Sequence, residues 1–108
     1  MRILLDECIP RKLAGLLPFQ VVSTVPHEGW SSLKNGRLLS FAAEKFDVFL
    51  TVDDNIPNQQ NLQNYDIGLV IIQVPSNRLK DIQPLLPQIE VAIKKVKSNS
   101  YQIVKNDC

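Results

Sequence analysis

Two apolar segments of this chain end in pairs of acidic residues, and this repeated pattern constrains the fold more than any other feature of the sequence. The stretch "ILLDE" places Asp6 and Glu7 after the first segment, and "VFLTVDD" places Asp53 and Asp54 after the second. Short continuous apolar runs are typical of strands buried on both faces of a parallel sheet. We therefore expect two inner strands, at residues 2 to 5 and 48 to 52, whose carboxyl ends are acidic.

Helical and strand patterns alternate along the rest of the chain. Amphipathic helices are predicted after Pro10 and over residues 36 to 45, with Asn35 as the expected N-cap of the second. Further strands are predicted at residues 19 to 25, 67 to 74 and 101 to 104, and the polar residues 55 to 64 are expected to form a loop. Pro84 and Pro87 restrict a last helix, between residues 79 and 96, to its later part. This order predicts a three-layer α/β domain around a mostly parallel sheet of four to five strands.

The composition fits one compact domain covering residues 1–108, with 44% hydrophobic and 21% charged residues. The 12 Lys and Arg residues nearly balance the 11 Asp and Glu residues, so any contact to nucleic acid requires a local cationic cluster. Cys8 and Cys108 lack the spacing of a zinc site or a disulfide framework. The sequence shows neither a signal peptide nor an apolar stretch of membrane-spanning length, so we expect a cytoplasmic protein with no membrane partner.

The acidic strand ends predict a metal site. Carboxyl ends of parallel strands meet at one edge of a sheet, and if the first and third strands are neighbours, their acids can share one Mg²⁺ or Mn²⁺ ion. Because side chains alternate along a strand, one acid of each pair is expected to face inward. We assign Asp6 and Asp53 to the ion, with Glu7 and Asp54 as supporting acids. The competing explanation is that strands end at the surface, where carboxylates are readily solvated.

The segments "RILLDECIPRKLAGLL" and "VVSTVPHEGWSSLKNGRLLSFAAEKFDVFLTVDDN" resemble the PIN-like family of small single-domain proteins. Members of that family combine a strand ending in LLDEnLP with a Gly-Trp turn, a short helix and a strand ending in LTxDxN. The resemblance covers about residues 2 to 62 and includes "NQQNL". It implies a PIN-like α/β/α fold and a Mg²⁺- or Mn²⁺-dependent endoribonuclease, often the toxin of a toxin-antitoxin pair. Asp6 and Asp53 match the family's metal-binding acids, and an RNA substrate, a cognate antitoxin and a second copy of the chain are the implied partners.

The chain departs from the family pattern at Arg37, where similar sequences carry an acid. Either the Arg37 guanidinium pairs with Asp6 and Asp53 in place of a metal and impairs catalysis, or Arg37 faces solvent and Glu7 or Asp54 serves as a further ligand. The candidate contacts to RNA phosphates are the basic residues of this half of the chain, Arg11, Lys12, Lys34 and Arg37.

Two other functions are compatible with the same residues. A receiver-like phosphoacceptor switch also has acids after its first strand, and here it would use Asp53 as acceptor, with Ser76 as the hydroxyl and Lys105 as the cation. A non-enzymatic interaction module on a degenerate PIN-like fold is the third hypothesis. Exposed apolar surface on the second helix, around Phe41 and Phe46, would favour it.

Overall fold

The computed structural model describes residues 1–105, and a five-stranded parallel sheet forms its centre. The strands, in spatial order 2-1-3-4-5, are β1 (Arg2–Leu5), β2 (Val21–Thr24), β3 (Val48–Thr51), β4 (Gly68–Gln73) and β5 (Tyr101–Lys105). The α-helices are α1 (Asn35–Lys45), α2 (Ile56–Gln59), α3 (Leu79–Ile82) and α4 (Leu86–Lys95). Short 3-10 helices span Arg11–Leu16, Leu62–Asn64 and Gln83–Leu85.

The first and third strands lie side by side, as the metal-site prediction requires. Ile3, Leu4 and Leu5 of β1 are fully buried, and all of β3 is buried, because helices cover both faces of these inner strands. Leu5 is level with Leu50 of β3. The residues that follow both strands therefore emerge together at one edge of the sheet, its carboxyl edge.

Two apolar clusters on opposite faces of the sheet make the domain three-layered. Leu5 and Leu50 point to one face, where the first 3-10 helix, α3 and α4 pack. Leu4 and Phe49 point to the other face, against α1 and α2. The predicted α/β fold with a parallel sheet is confirmed. Among residues 1–105, no helix has the length and apolar content needed to cross a bilayer.

The last crossover differs from the others in its hand. From β2 to β3 and from β3 to β4, the chain moves toward β5 over the face that α1 and α2 cover. The connection from β4 to β5 moves in the same direction but passes over the opposite face, where α4 packs, so its hand is reversed. The side of β5 next to α2 therefore stays open, and Tyr101 and Ile103 are each 45% exposed there.

Three local predictions are wrong. The segment after Pro10 forms a 3-10 helix rather than an α-helix, and Pro18 limits this short helix to the six residues Arg11–Leu16. Asn35 is the first residue of α1 and not its N-cap, which is Lys34; the Asn35 side chain instead donates to Gln59 Oε1 at 3.3 Å. Residues 55 to 64 are not a loop, because they contain α2 and the second 3-10 helix.

Candidate functional site

The candidate site lies at the carboxyl edge where β1 and β3 meet. The chain leaves β1 toward β2 on one side, whereas β3 leads to β4 on the other, so the strand order reverses here and creates the switch point at which α/β sheets bind ligands. Asp6 follows β1 directly, and its N–H donates to the carbonyl of Leu50 at 2.9 Å. Asp53 follows β3 after Val52. The fold thus brings both predicted metal ligands to the switch point.

The hydroxyl of Thr51 links the two aspartates. Thr51 is the last residue of β3, is fully buried and donates its hydroxyl proton to Asp6 Oδ2 at 2.7 Å. The same oxygen accepts the N–H of Asp53 at 3.0 Å. The second oxygen of Asp6 accepts the N–H of Glu7 at 2.8 Å. These bonds orient the Asp6 carboxylate and hold the backbone of Asp53 beside it.

The two acids of each doublet differ in exposure, as expected from alternation along a strand. Asp6 and Asp53 are half-buried, whereas Glu7 and Asp54 are exposed. Asp53 Oδ1 accepts the N–H of Asn55 at 3.0 Å, which ties its carboxylate to the start of α2. Asp6 and Asp53 are therefore the acids with defined orientations.

A cleft of about 650 Å³ opens next to Asp6. Glu7, Arg11 and His27 contribute to its walls together with Asn77, whose side-chain amide donates to the carbonyl of Cys8 at 2.8 Å. That bond joins the segment after β4 to the segment after β1. Of the four basic residues predicted to contact RNA, Arg11 lies in this cleft, whereas Lys12, Lys34 and Arg37 are exposed outside it.

Arg37 does not replace a metal at this edge. It is exposed in the first turn of α1, and within residues 1–105 it forms no ion pair with a carboxylate. Of the two arrangements considered from the sequence, the structure contains the one in which Arg37 faces solvent. Asp6 and Asp53 are left without a guanidinium partner.

The donor atoms at the switch point suit a hard divalent cation held by few protein ligands. Among residues 1–105, no group of three or more His, Cys, Asp or Glu side chains is arranged to hold a metal ion, whereas the PIN-like resemblance implies three or four acids. Two carboxylates are the usual protein contribution to a Mg²⁺ ion whose other ligands are water and substrate phosphate. Carboxylates such as those of Asp6 and Asp53 have the donor chemistry that such an ion prefers.

Cys8 is the remaining reactive group beside the aspartates. Its sulfur lies 3.9 Å from Thr51 Oγ1, and the side chain is half-buried. Burial, reinforced by the negative charge of Asp6, raises the pKa of the Cys8 thiol, although a hydrogen bond from the backbone of Val52 opposes the shift. The thiol is therefore protonated at neutral pH.

The residues required by the receiver-like alternative do not converge on Asp53. The Ser76 hydroxyl donates to the carboxylate of Asp81 in α3. Lys105 lines another cleft, together with Asp54 and the carboxyl end of β4. The Ser76 hydroxyl is therefore engaged by another carboxylate, and Lys105 shares its cleft with Val52 and Asp54, the two neighbours of Asp53 in sequence.

The apolar surface expected on α1 is smaller than the interaction-module hypothesis requires. Phe46 is only 2% exposed, because it packs in the core beneath Trp30 with ring centroids 6.1 Å apart. Phe41 is 38% exposed and stacks on the same indole at 6.0 Å. Phe41 and the half-buried Trp30 therefore form one small aromatic patch at this surface.

Glu28 fixes the loop between β2 and α1, on the flank of the cleft. Its carboxylate accepts a hydrogen bond from the Ser23 hydroxyl at 2.7 Å and pairs with Lys45 Nζ at 2.5 Å. The bonds from Lys45 and then from Ser23 lower the pKa of Glu28. The loop that carries His27 is therefore held by an ionised side chain.

Thr51 and Asn77 are the site residues that the sequence did not predict. The signal for Thr51 was present, because it is the hydroxyl residue in the otherwise apolar "VFLTV". Asn77 is 69 residues from its partner Cys8, so no local pattern predicts the contact.

Comparison of the chain with protein-family models, curated proteins and solved structures gives no match. The function is therefore inferred from the geometry of this edge.

Proposed function

We propose that the chain is a PIN-like, Mg²⁺- or Mn²⁺-dependent endoribonuclease in which Asp6 and Asp53 hold the ion. The shared hydroxyl of Thr51 is the observation that carries the proposal, because it orients one carboxylate and positions the backbone of the other at the switch point. Carboxylates that bind a metal ion are themselves hydrogen-bonded by second-shell groups, which align them for coordination.

Each polar residue of the edge has a role in this proposal. When bound, the ion supplies charge stabilisation and an activated water molecule to the phosphodiester. Asp6 and Asp53 provide oxygen ligands, and Thr51 keeps Asp6 in the orientation that leaves a lone pair free. Arg11, in the cleft beside Asp6, provides a permanent cation for a phosphate of the substrate.

Cleavage and metal binding can be measured on the same variants. Wild-type protein is expected to cut end-labelled single-stranded RNA in the presence of Mn²⁺ and to gain thermal stability from the ion, and Asp53→Asn is expected to lose both properties. Glu44→Gln, which removes one exposed charge from α1, is the control and is expected to retain both. If wild-type protein shows neither cleavage nor Mn²⁺-induced stabilisation, the proposal is wrong.

Arg37 determines how strong the activity is in this proposal. An acid at this position would place a negative charge, in place of the present positive one, in the exposed first turn of α1. Arg37→Glu is therefore expected to raise the affinity for Mn²⁺ and the cleavage rate. Equal rates for the two proteins would show that the position lies outside the reach of the ion.

The cellular role belongs to the same proposal. A cytoplasmic toxin would arrest growth when it is expressed alone, and a cognate antitoxin protein would relieve the arrest. Both effects are expected to require Asp53. Growth arrest that persists in Asp53→Asn would assign the toxicity to another cause, and analytical ultracentrifugation tests whether the protein acts as a homodimer.

A receiver-like switch is the second candidate, since receivers share the strand order 2-1-3-4-5. In this reading Asp53 accepts a phosphoryl group. Beryllofluoride with Mg²⁺ would then change the fluorescence of Trp30 in wild-type protein but not in Asp53→Asn. Unchanged spectra would eliminate this candidate and leave the nuclease proposal untouched.

A further inference from the structure

A second pocket lies against the open side of β5, away from the aspartates. It encloses about 600 Å³ and is formed by α2 and the 3-10 helix after it on one side, and by Asn99, Ser100 and Tyr101 on the other. A volume of this size accommodates a nucleotide-sized ligand. We refer to it as the amide pocket, because five of its side chains carry amides in one stretch, Asn58, Gln59, Gln60, Asn61 and Gln63.

Hydrogen bonds from Asn99 give the amide pocket a defined wall. Asn99 adopts a left-handed backbone conformation, with φ of 66°, which an asparagine tolerates better than most residues. Its side-chain amide donates to three carbonyls of the facing segment, those of Leu62, Gln63 and Tyr65, at 3.4, 3.2 and 2.8 Å. The segment before β5 is thereby fastened to the segment before β4, and the pocket is part of the folded structure.

The groups that remain available in the amide pocket are an aromatic ring and amides. Tyr101 is 45% exposed, and among residues 1–105 its hydroxyl makes no hydrogen bond. The side chains of Asn58 and Gln63 are exposed and likewise have no partner within the described part of the chain. The pocket therefore offers a flat apolar surface beside several unused donors and acceptors.

The uncharged lining of the amide pocket favours the base of a nucleotide over its phosphate group. Every residue that lines the amide pocket is uncharged, so the site lacks the lysine or arginine that a phosphate group would require. Single-stranded RNA is recognised through bases that stack on aromatic rings and form hydrogen bonds along their edges. Tyr101 and the neighbouring amides provide these two kinds of contact.

We propose that the amide pocket binds an unpaired base of single-stranded RNA, which stacks on Tyr101 and forms hydrogen bonds with Asn58 and Gln63. The choice of RNA as the ligand rests on the proposed nuclease function. Tyr101 lies level with Leu69 near the start of β4, whereas the aspartates lie past the end of β3, so the length of the sheet separates the two sites. At about 3.3 Å per strand residue this separation is roughly 15–20 Å, and the pocket selects a base several nucleotides from the bond that is cut.

The test measures RNA binding in a protein that cannot cleave. In an Asp53→Asn background, fluorescence anisotropy with labelled uridine, cytidine and adenosine oligonucleotides gives the dissociation constant of each variant. Tyr101→Ala is expected to raise it about 5- to 150-fold, the range observed when one base loses its aromatic partner, whereas Tyr101→Phe keeps the ring and the affinity. Ile103→Ala is the matched control, because Ile103 has the same 45% exposure on the same side of β5 but lies outside the pocket.

The outcomes separate this proposal from the nuclease proposal. Equal affinities for Tyr101→Ala and Ile103→Ala, with circular dichroism showing that both are folded, would overturn the base-binding role even if wild-type protein cleaves RNA. A ring-dependent affinity in a protein that never cleaves RNA would support the amide pocket and refute the nuclease. Ring-dependent binding of free nucleoside monophosphates without any effect on oligonucleotides would overturn the assignment to RNA.

Discussion

Replacing Thr51 with valine tests whether its hydroxyl connects the two halves of the site. Valine has nearly the same shape, so Thr51→Val removes the hydroxyl while leaving the buried volume of β3 filled. Asp6 Oδ2 then loses its donor at 2.7 Å, and the N–H of Asp53 loses its acceptor at 3.0 Å. Because Thr51 is fully buried, water cannot take the place of its hydroxyl.

The expected cost follows from these two bonds. A hydrogen bond to an ionised carboxylate contributes about 1.5–3 kcal/mol, and a bond between neutral groups contributes about 0.5–1.5 kcal/mol. Asp6 is half-buried, so water solvates part of its carboxylate and reduces the loss. We expect Thr51→Val to lower the free energy of unfolding by about 2–4 kcal/mol. Thr51→Ser keeps the hydroxyl and removes one methyl group, which costs about 1 kcal/mol.

Urea denaturation at neutral pH, followed by circular dichroism, measures both free energies. The two variants are compared only if the slope of the free energy against urea is unchanged, since a changed slope indicates altered compactness of one of the states. In parallel, Mn²⁺ is expected to stabilise Thr51→Ser but not Thr51→Val. If the valine variant is as stable as the serine variant, the hydroxyl does not support the site.

Three further predictions concern other contacts. Glu28→Gln is expected to lower the free energy of unfolding by about 1 kcal/mol at neutral pH. Folding lowers the pKa of Glu28 below its ordinary value of 4.5, so the stability difference between wild-type protein and Glu28→Gln is fully present above pH 4.5. The difference is lost as the pH falls through the folded-state pKa. Urea titrations over this pH range measure it. In Gly68→Ala the new Cβ would lie 2.8 Å from Val96 Cγ1, so thermal melts should show that the free energy of unfolding falls by about 1–3 kcal/mol. Adding Val96→Ala to this variant should restore part of that stability. No recovery in the double variant would refute the steric cause. In a Cys108→Ser background, iodoacetamide should modify Cys8 more slowly than it modifies free cysteine, and the plot of rate against pH should have its inflection at a higher pH. Equal rates for Cys8 and free cysteine would contradict the burial of the thiol.

The strands that carry the site were predictable because their sequence pattern coincides with the physical requirement of a buried parallel sheet. β1 and β3 are apolar at successive positions, and the structure buries them on both faces. The helix after Pro10 was mispredicted, because spacing of apolar residues such as Leu13 does not distinguish an α-helix from a short 3-10 helix. The structured part of residues 55 to 64 was missed because its polar composition is also that of loops, although Ile56 is fully buried.

The candidate site was predictable in its acids but not in its connections. Asp6 and Asp53 stand out in sequence because charge follows an apolar run, and alternation along the strand predicts that one acid of each pair is less exposed than the other, without showing which one. The direction of Arg37 could not be derived, since the rotation of α1 about its axis depends on how its apolar residues pack. The hydrogen bond between Asn77 and Cys8 depends on the path of two distant loops.

The reversed hand of the last crossover also has a consequence for how the domain opens. β5 is an edge strand that is bonded to the sheet through β4 alone, and four of its five residues are exposed, whereas β1 and β3 are inner strands buried on both faces. The amide hydrogens of β5 are therefore expected to exchange with solvent through a partial unfolding that leaves those of β1 and β3 protected. Tyr101 would leave its neighbours in that event while Asp6 and Asp53 stay in place. Base selection would then be lost on warming at a lower temperature than the ability to hold the ion.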